Sequence, residues 1–490
     1  MAKQLILAID QGTSSTKALL VDESLTPVAS ASVAISISSP QPGWVQQDAS
    51  EILASVNTVI AELVEAAGQN PDWKIIGLAL TNQRESALAW DAKTGAPLGP
   101  MLGWQDRRTE PELAKFNDAT KAQIREITGL GLDPMFSALK LQWLLDQHDA
   151  DRALSGSGQI MLGTVDAYLR YSLTGEHVVE VGNASRTQLL DISTGQWSAN
   201  LCELFNVPVA ALPTVSMSDA ESAEVLNGPA KGLKILATLA DSHAALYAHG
   251  LASNQDINAK ATFGTGSSIM AAGKFTLDSK RIAEAGLVST IAWGLGESGI
   301  THGVEGNIIS SGSTLVWLAE LLGKSVGELA ALAEATPDSA GVDLVPAFSG
   351  LGAPWWRSGV AGQVSGLTMA TSAAELSLAA FEAIVLQIED VVTALEQALG
   401  ASLSSLNVDG GPTANAWLVQ LLANLSQRKI TRTDVAELSA VGVAALAGAK
   451  IWQAATTATE FTPKLEPQLA KARRNRWNAA VKQVLDSATN

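Results

Sequence analysis

Two stretches of this sequence share a layout in which an apolar run, a small polar turn and a second apolar run follow one another. Residues 5–22 read LILAIDQGTSSTKALLVD, and residues 260–274 read KATFGTGSSIMAAGK. Each stretch predicts a β-hairpin with a turn rich in glycine, threonine and serine. One such hairpin in each half of the chain suggests a duplicated domain, with chance similarity of two turns as the competing explanation.

Strand-like and helix-like segments alternate along the rest of the chain, which favours an α/β architecture. Residues 49–67 have apolar side chains at helical spacing behind Asp48, a predicted N-cap, and residues 375–399 form a second amphipathic pattern. Residues 75–80, IIGLAL, predict a buried strand that ends in polar residues. The pattern therefore predicts strands whose ends carry short polar turns.

Composition limits the classes of partner. The chain has 490 residues, of which 47% are hydrophobic and 17% charged, as expected for a globular protein. A net charge of −17 argues against nucleic acid or an anionic membrane as partner. The single cysteine, Cys202, fits a reducing compartment, and no uncharged apolar stretch approaches the roughly 20 residues of a membrane helix. We expect a cytoplasmic protein without membrane insertion.

Glycine-rich turns at strand ends can hold anions, because their backbone N–H groups form a concave donor surface. A third such turn, DGGPTAN, follows the strand-like residues 406–408. The chain has no G-x-x-x-x-G-K-[ST] loop, and a single turn of this kind is more often an ordinary hairpin turn. Three of them at strand ends favour phosphate binding, and Lys17 could reach a phosphate. The turn residues predicted to hold phosphates are Gly12, Thr13, Ser14, Gly264, Thr265, Gly266, Gly410 and Gly411.

Two aspartates follow buried strands. Asp10 lies next to the first turn, where a carboxylate commonly orients hydrated Mg²⁺, although it could also accept hydrogen bonds within its own turn. Asp241 follows the strand-like residues 233–239 and is the predicted general base, which accepts the proton of an attacking hydroxyl. His243 ranks below it, because a lone histidine is more often structural.

A polar cluster suggests which kind of molecule carries the attacking hydroxyl and so accepts the phosphoryl group. Arg84 and Glu85 follow the strand at residues 75–80, and Trp104 lies in the segment GWQDRRT. Arg and Glu side by side can donate to and accept from adjacent hydroxyls, while an indole covers the C–H face of a polyol. A surface ion-pair patch is the competing explanation, but the carboxyl end of a strand is where α/β sites gather.

The same motifs, in this order, resemble those of the FGGY family of carbohydrate kinases over nearly the whole chain. The resemblance rests on DQGTSST, FGTGSS and DGGPTAN together with two longer signatures, MFSALKLQWLLDQ at residues 135–147 and GQVSGLTMATSAAELSLAAFE at residues 362–382. It implies two actin-like, ribonuclease-H-like α/β domains with ATP and substrate in a cleft between them. We assign residues 1–248 to the N-terminal, substrate-binding domain and residues 249–490 to the C-terminal, nucleotide-binding domain.

Within that family, the segments PGWVQQD, TNQRES, GWQDRRT and FSGLGAPWW are similar to those of glycerol kinases. The resemblance implies ATP and Mg²⁺ as cofactors, a small polyol or sugar as substrate, and a homodimer or homotetramer as alternatives for the assembly. It implies Asp10 and Asp241 at the magnesium ion and Asp241 as general base. The implied acceptor contacts are Arg84, Glu85, Trp104 and Asp241, and the implied nucleotide contacts include Thr13, Lys17, Thr265, Gly312, Gly411 and Asn415.

Three departures from glycerol kinases fall on the implied acceptor pocket. Those enzymes usually place Tyr, Gln and Phe where this chain has Met135, Ser242 and Trp293. The D-x-H-A pattern of residues 241–244 is similar to that of ribulokinases. We therefore expect phosphorylation of a terminal hydroxyl of a small polyol, with a pentulose or pentitol as the alternative acceptor. An actin-like ATPase without a sugar substrate is a further alternative.

Overall fold

A computed structural model describes residues 2–251, 256–433, 435, 437–449 and 458–487. The chain divides into two compact units. Unit 1 comprises Met1–Asn254, Ser289–Gly303 and Val435–Thr456, and unit 2 comprises Gln255–Val288, Val304–Asp434 and Thr457–Asn490. The sequence prediction has one boundary, between residues 248 and 249, whereas in the structure two later segments return to unit 1.

Strands and helices are both distributed along the described residues. The strands there are β1 (Lys3–Gln11), β2 (Ser15–Asp22), β3 (Pro27–Ala34), β4 (Gln46–Gln47), β5 (Trp73–Asn82), β6 (Leu88–Asp91), β7 (Met101–Leu102), β8 (Ile160–Gly163), β9 (Val178–Glu180), β10 (Leu190–Asp191), β11 (Gln196–Trp197), β12 (Thr214–Ser216), β13 (Ile235–Ala240), β14 (Ile257–Phe263), β15 (Ser267–Gly273), β16 (Val288–Leu295), β17 (Gly299–Ile308), β18 (Asp343–Val345), β19 (Gln363–Ser365), β20 (Ser405–Asp409), β21 (Lys429–Thr433) and β22 (Ala458–Phe461). The α-helices there are α1 (Ala49–Gly68), α2 (Asp118–Thr128), α3 (Ser137–His148), α4 (Ala153–Gly156), α5 (Val165–Thr174), α6 (Val181–Ser185), α7 (Ala199–Leu204), α8 (Asp241–Gly250), α9 (Ser279–Glu284), α10 (Gly312–Leu322), α11 (Val326–Ala335), α12 (Ala373–Leu399), α13 (Ala416–Ser426), α14 (Leu438–Gly448) and α15 (Pro467–Ser487). Short 3₁₀ helices occur at Glu110–Lys115, Val209–Ala211 and Gly411–Ala414.

The main sheet of unit 1 has the strand order β13-β5-β1-β2-β3. The predicted first hairpin is confirmed, with β1 antiparallel to β2, and β1 is also parallel to β5. Helices α8 and α14 pack together on this sheet, and their apolar side chains share one core with those of β1, β5 and β13. The two helices approach closely at Gly442, where an added Cβ would lie 1.9 Å from the carbonyl oxygen of Ala244.

Unit 2 repeats this arrangement. Its sheet has the order β16-β17-β15-β14-β20-β21-β22, with β14 antiparallel to β15 and parallel to β20. Thus β15-β14-β20-β21 corresponds to β2-β1-β5-β13 in unit 1, including the parallel pairing of the last two strands. The hairpin β16–β17 runs from unit 2 into unit 1 and back. The two predicted hairpins are therefore equivalent strands of two similar sheets.

Local sequence signals account for the two long predicted helices. The side chain of Asp48 accepts a hydrogen bond from the Ser50 N–H at the start of α1, as expected of an N-cap. Helix α12 begins at a capping box in which Ser372 and Glu375 bond each other's backbone N–H groups. Most of α12 is buried in the core of unit 2. None of the helices in the described ranges is long and apolar enough to span a bilayer.

Candidate active site

Asp10 lies near the end of β1, after five buried residues, and is itself partly exposed. It pairs directly with Lys17 across the hairpin. Burial raises the pKa of Asp10 to about 7, and the carboxylates of Asp241 and Glu437 also act to raise it, whereas Lys17 acts to lower it. The two aspartates singled out from the sequence are therefore close enough to interact within unit 1.

Lys17 has a carboxylate partner that the sequence did not suggest. Its Nζ lies 2.7 Å from Oε1 of Glu437, the residue that precedes α14. Glu437 has a left-handed backbone conformation, with φ of 56°. Both side chains are about one-third exposed or more, so the pair is accessible to solvent. A phosphate contact by Lys17 stays a prediction. To make it, the ammonium must either contact Glu437 and the phosphate together or leave Glu437 for the phosphate.

Asp241 is the first residue of α8, where the helix dipole favours a negative side chain. Its Oδ1 lies 3.8 Å from Nε of Arg84, and that Nε also lies 3.7 Å from Oε1 of Glu85. About one-third of the Asp241 side chain is exposed, compared with one-tenth of Arg84. Arg84 thus lies between two carboxylates, and the more exposed of them is the predicted base.

Glu85 is held by an arginine that the sequence analysis did not single out. Nε of Arg186 donates to Oε1 of Glu85 at 2.6 Å, and the Arg186 guanidinium lies over the ring of Phe136 at 5.2 Å. Glu85 is a non-glycine residue at φ 59°, a conformation that costs energy and often marks functional sites. The only sequence signal for Arg186 is its place in NASRTQLLDI, between Ser185 and Thr187.

Trp104 contacts the first hairpin turn directly. Its indole Nε1 donates to Oγ1 of Thr13 at 3.2 Å, and the side chain is 40% exposed. The turn is fixed further by Gln47, whose Nε2 donates to the carbonyl oxygen of Thr13 at 2.9 Å. Gln83 in turn donates to Oε1 of Gln47 at 2.9 Å. The turn and Trp104 therefore belong to one hydrogen-bonded group with Gln47 and Gln83.

Two charged residues of the same GWQDRRT segment are structural. Asp106 is fully buried and accepts a hydrogen bond from the Val45 N–H at 2.6 Å. The guanidinium of Arg108 lies between the rings of Trp44 and Trp143, at 4.0 and 4.6 Å from their centroids. These contacts hold the segment that carries Trp104.

The three residues that depart from glycerol kinases have different surroundings. Met135 and Ser242 are partly exposed, and the Ser242 N–H donates to Oδ1 of Asp241 at 2.5 Å. Trp293 packs edge-on against Tyr247, with ring centroids 5.4 Å apart. Contacts of these residues with an acceptor stay predictions, and the ring contact gives Trp293 a packing role.

The second glycine turn, in unit 2, is held by backbone hydrogen bonds. The Gly264 N–H donates to the carbonyl oxygen of Gly266 at 2.8 Å, and the Gly312 N–H donates to that of Gly264 at 2.9 Å. An added Cβ on Gly312 would lie 2.5 Å from the Gly264 carbonyl oxygen, so only glycine permits this approach. The start of α10 is therefore pressed against the turn.

A cavity of about 1000 Å³ lies beside this turn, within unit 2. Gly410 lies next to it at φ 96°, where an added Cβ would be 2.1 Å from the Phe263 carbonyl oxygen. Asn415 caps α13 by accepting the Trp417 N–H at 3.0 Å. Several predicted nucleotide residues line this cavity, namely Gly264, Thr265, Gly312, Gly411 and Asn415. Its other walls are mainly apolar, which suits a nucleobase.

Within the described residues, no three or more His, Cys, Asp or Glu side chains are grouped so as to hold a metal ion. Mg²⁺ does not require such a group, because it keeps several waters and is often bound through one or two carboxylates and substrate phosphates. Burial is the larger cause of the raised pKa of Asp10, but the carboxylates of Asp241 and Glu437 also act to raise it, so negative charge gathers beside this residue. A divalent cation would relieve that crowding.

Comparison with known proteins agrees with this geometry. Residues 5–246 match the N-terminal domain model of the FGGY family of carbohydrate kinases, and residues 259–451 match its C-terminal domain model. The chain is 40% identical to an apulose kinase of Pectobacterium atrosepticum over 456 residues, covering 91% of this chain and 90% of that enzyme. It is 38% identical to a glycerol kinase of Citrifermentans bemidjiense over 497 residues, covering 98% of each.

Solved structures show the same fold. The structure of Plasmodium falciparum glycerol kinase with ADP matches with a TM-score of 0.91 and 28% identity, covering 99% of each chain. A xylulose kinase structure from Rhodospirillum rubrum matches with a TM-score of 0.84 and 26% identity, covering 99% of this chain and 100% of that one. Two actin-like α/β domains are therefore confirmed as the fold class.

Proposed function

Because this chain belongs to the FGGY family of carbohydrate kinases, and is thus a phosphotransferase with an alcohol group as acceptor, we propose that it phosphorylates a terminal hydroxyl of a small polyol with ATP. The observation that carries the proposal is the grouping of Arg84 with Glu85 and Asp241, each within 3.8 Å of its Nε, and of Trp104 with the adjacent phosphate turn. We expect the reaction to take place in the cytoplasm.

In this proposal, Asp241 accepts the proton of the attacking hydroxyl. Its exposure leaves room for an acceptor, and Arg84 at 3.8 Å places a positive charge beside the carboxylate that would act as base. Glu85 accepts hydrogen bonds from neighbouring hydroxyls of the acceptor, and Arg84 donates to them. Trp104 covers the apolar face of the carbon chain.

The nucleotide occupies the unit 2 cavity. The turn at residues 264–266 and the start of α10 offer backbone donors to phosphates, and the apolar walls receive the base. Support comes from the similar P. falciparum glycerol kinase, whose structure was solved with ADP. Asp10 would orient Mg²⁺ through its waters, with Asp241 as the second carboxylate, and the ion would offset phosphate charge.

A five-carbon ketose is the second candidate acceptor. It is favoured by Met135 and Ser242, which remove a hydroxyl and shorten an amide relative to glycerol kinases. The apulose kinase relative, at 40% identity, acts on a sugar according to its name and supports the same interpretation. A smaller and less polar wall leaves space for a longer or branched carbon chain.

An acceptor panel tests both candidates. ATP turnover with glycerol, tetritols, pentitols and pentuloses, compared as kcat/KM, should show at least one acceptor that stimulates turnover strongly above ATP alone. Preference for glycerol would support the polyol, and preference for a pentulose would support the second candidate. ATP hydrolysis that no acceptor stimulates would contradict the proposal and favour an actin-like ATPase.

A further inference from the structure

Lys140 is a fully buried lysine in α3, where its sequence neighbours Leu139 and Leu141 are also buried. Its Nζ donates to three backbone carbonyl oxygens, those of Glu85 at 2.6 Å, Gly103 at 2.8 Å and Met135 at 2.7 Å. An ammonium has three N–H donors and no acceptor, so these three carbonyls use all of its hydrogen-bonding capacity. All three carbonyl oxygens belong to residues outside α3.

Each of the three carbonyls belongs to a segment that carries a predicted acceptor contact. Glu85 is itself a predicted acceptor contact, and its backbone has a strained left-handed conformation, with φ of 59°. Gly103 directly precedes Trp104, which is the second predicted acceptor contact, and Met135 is the third. The segments come from separate parts of the chain, and Lys140 joins all three at one point. Direct hydrogen bonds between Ala87 and Leu102, and from Ser137 to the carbonyl oxygen of Ser86, add to this link.

The charge of Lys140 is costly where it lies. Burial lowers the pKa of its ammonium to about 7, although the surrounding carboxylates of Glu85, Asp106 and Asp133 act to raise it, and Arg108 acts to lower it. A buried, desolvated charge is weak evidence for a stabilising role, because apolar residues of similar volume are often as good or better for stability. The arrangement is better explained by the positions that the ammonium imposes on the three segments.

We propose that Lys140 is a positioning residue for the acceptor site, which fixes the backbone at residues 85, 103 and 135 so that Glu85, Trp104 and Met135 keep their places. The inference rests on the proposed function, since it is acceptor binding that Lys140 serves. It assigns no contact between Lys140 and the substrate. Substitution should therefore affect acceptor binding more than nucleotide binding.

The test is Lys140→Met, which keeps most of the length of the side chain and removes all three donors. Lys260→Met is the matched control, because Lys260 is also a buried lysine, in β14 of unit 2, where Nζ donates to Oγ1 of Thr262 at 2.6 Å. For Lys140→Met we expect the acceptor KM to rise on the order of tenfold or more, since small displacements of positioning groups are costly. The ATP KM should stay within about twofold, and Lys260→Met should not raise the acceptor KM selectively.

Hydrogen–deuterium exchange gives a second readout that does not depend on turnover. Backbone amides next to residues 85, 103 and 135 should exchange faster in Lys140→Met than in the wild type, and should be unchanged in Lys260→Met. If the wild type phosphorylates no acceptor, the proposed function fails, while exchange still tests the anchoring role. Unchanged exchange, or an equal rise of both KM values, would overturn the inference.

Lys140→Arg covers the case in which Lys140→Met does not fold. The planar guanidinium keeps the charge but cannot direct three donors from one nitrogen, so the same selective rise in acceptor KM is expected. If neither variant gives folded protein, Lys140 is required for stability as a whole, and the positioning role is overturned.

Discussion

Lys17 and Glu437 form an ion pair across 420 positions of sequence, with Nζ 2.7 Å from Oε1. Lys17 also lies directly opposite Asp10 on the neighbouring strand. Glu437 is one of the charges that raise the pKa of Asp10 to about 7, behind burial and Asp241. The ion pair therefore affects whether Asp10 is ionised near neutral pH.

Glu437→Gln should move the acid limb of the pH–rate profile to lower pH. If activity requires ionised Asp10, kcat/KM of the wild type rises with pH through about 7, because Asp10 loses its proton there. Removing Glu437 takes away a charge that raises this pKa and frees Lys17 to lower it. Glu460→Gln is the control, since Glu460 pairs with Lys429 at the same 2.7 Å in unit 2. If the acid limbs of the pH–rate profiles coincide in the wild type and Glu437→Gln, Glu437 does not influence the ionisation of Asp10.

Asp241→Asn should lower kcat by about 10²- to 10⁴-fold, because a general base contributes on that scale. ADP affinity, measured by calorimetry, should change by less than about threefold, since the proposed nucleotide cavity lies in unit 2. Asp219→Asn is a suitable control, as Asp219 accepts the Gly296 N–H at 3.0 Å elsewhere in unit 1. Substantial remaining kcat would remove Asp241 from the role of base.

Met135→Tyr combined with Ser242→Gln should improve the use of glycerol. The two changes restore polar side chains that glycerol kinases usually carry. Each new hydrogen bond adds about 0.5–1.5 kcal/mol, so the pair should raise kcat/KM by about 5- to 150-fold. Turnover of five-carbon acceptors should fall in the same variant, because the wall becomes larger. Unaltered kcat/KM for all acceptors would show that these side chains do not face the substrate.

Asp10→Asn should make the nucleotide-free protein more stable at neutral pH. Native Asp10, with a pKa of about 7 against the ordinary value of 3.8, binds more protons than the unfolded chain between these values. Stability of the wild type therefore falls as pH rises through this window, and the loss persists above it. We expect the variant to melt about 2 °C or more above the wild type near pH 8, with the difference shrinking towards about pH 4.

Asp22→Asn, on the same hairpin, is the opposite case. Burial acts to raise the pKa of Asp22, but hydrogen bonds from Lys3, Thr26 and Ser24 hold it below the ordinary value. That carboxylate stabilises the fold above its unfolded pKa, so this variant should melt lower than the wild type at neutral pH. Equal shifts of the same sign in both variants would contradict the assignment for Asp10.

Gly411→Ala should weaken nucleotide binding without destabilising the protein. An added Cβ on Gly411 meets no atom within 4 Å, and the residue lines the unit 2 cavity. In the proposed nucleotide site the added methyl group would take space needed by the phosphates, so the dissociation constant for ADP should rise about tenfold or more. Gly359→Ala, which also meets no atom within 4 Å, should leave both ADP affinity and melting temperature unchanged. Unchanged ADP affinity in Gly411→Ala would indicate a different phosphate position.

The strands and helices that could be predicted from the sequence are those whose signals lie in residues close together along the chain. Alternation of apolar residues indicated β1 and β2, and Asp48 marked the start of α1, because strand periodicity and capping are local. The proximity of Asp10 and Asp241 followed from both being placed at strand ends. The kinase chemistry followed from the resemblance of the motifs, in their order, to those of the FGGY family.

The partners that fix the site were not predictable in the same way. Arg186 and Glu85 are 101 positions apart, and Lys140 contacts carbonyl oxygens, which leave no trace in the side-chain sequence. Lys17 was interpreted as a phosphate contact, and its ion pair with Glu437 depends on the placement of α14. Such contacts arise from packing between distant segments, so composition and spacing carry no signal for them.

Helix α14 carries a consequence for how the molecule is made. It packs on α8 and β1 of unit 1, yet it is encoded after nearly all of unit 2. During synthesis, part of the apolar face of the first sheet stays uncovered until about residue 449 has left the ribosome. This differs from the usual case, in which the N-terminal domain folds first while the rest of the chain is still being made. Cutting the gene at its midpoint would thus yield an aggregation-prone first fragment rather than an autonomous one.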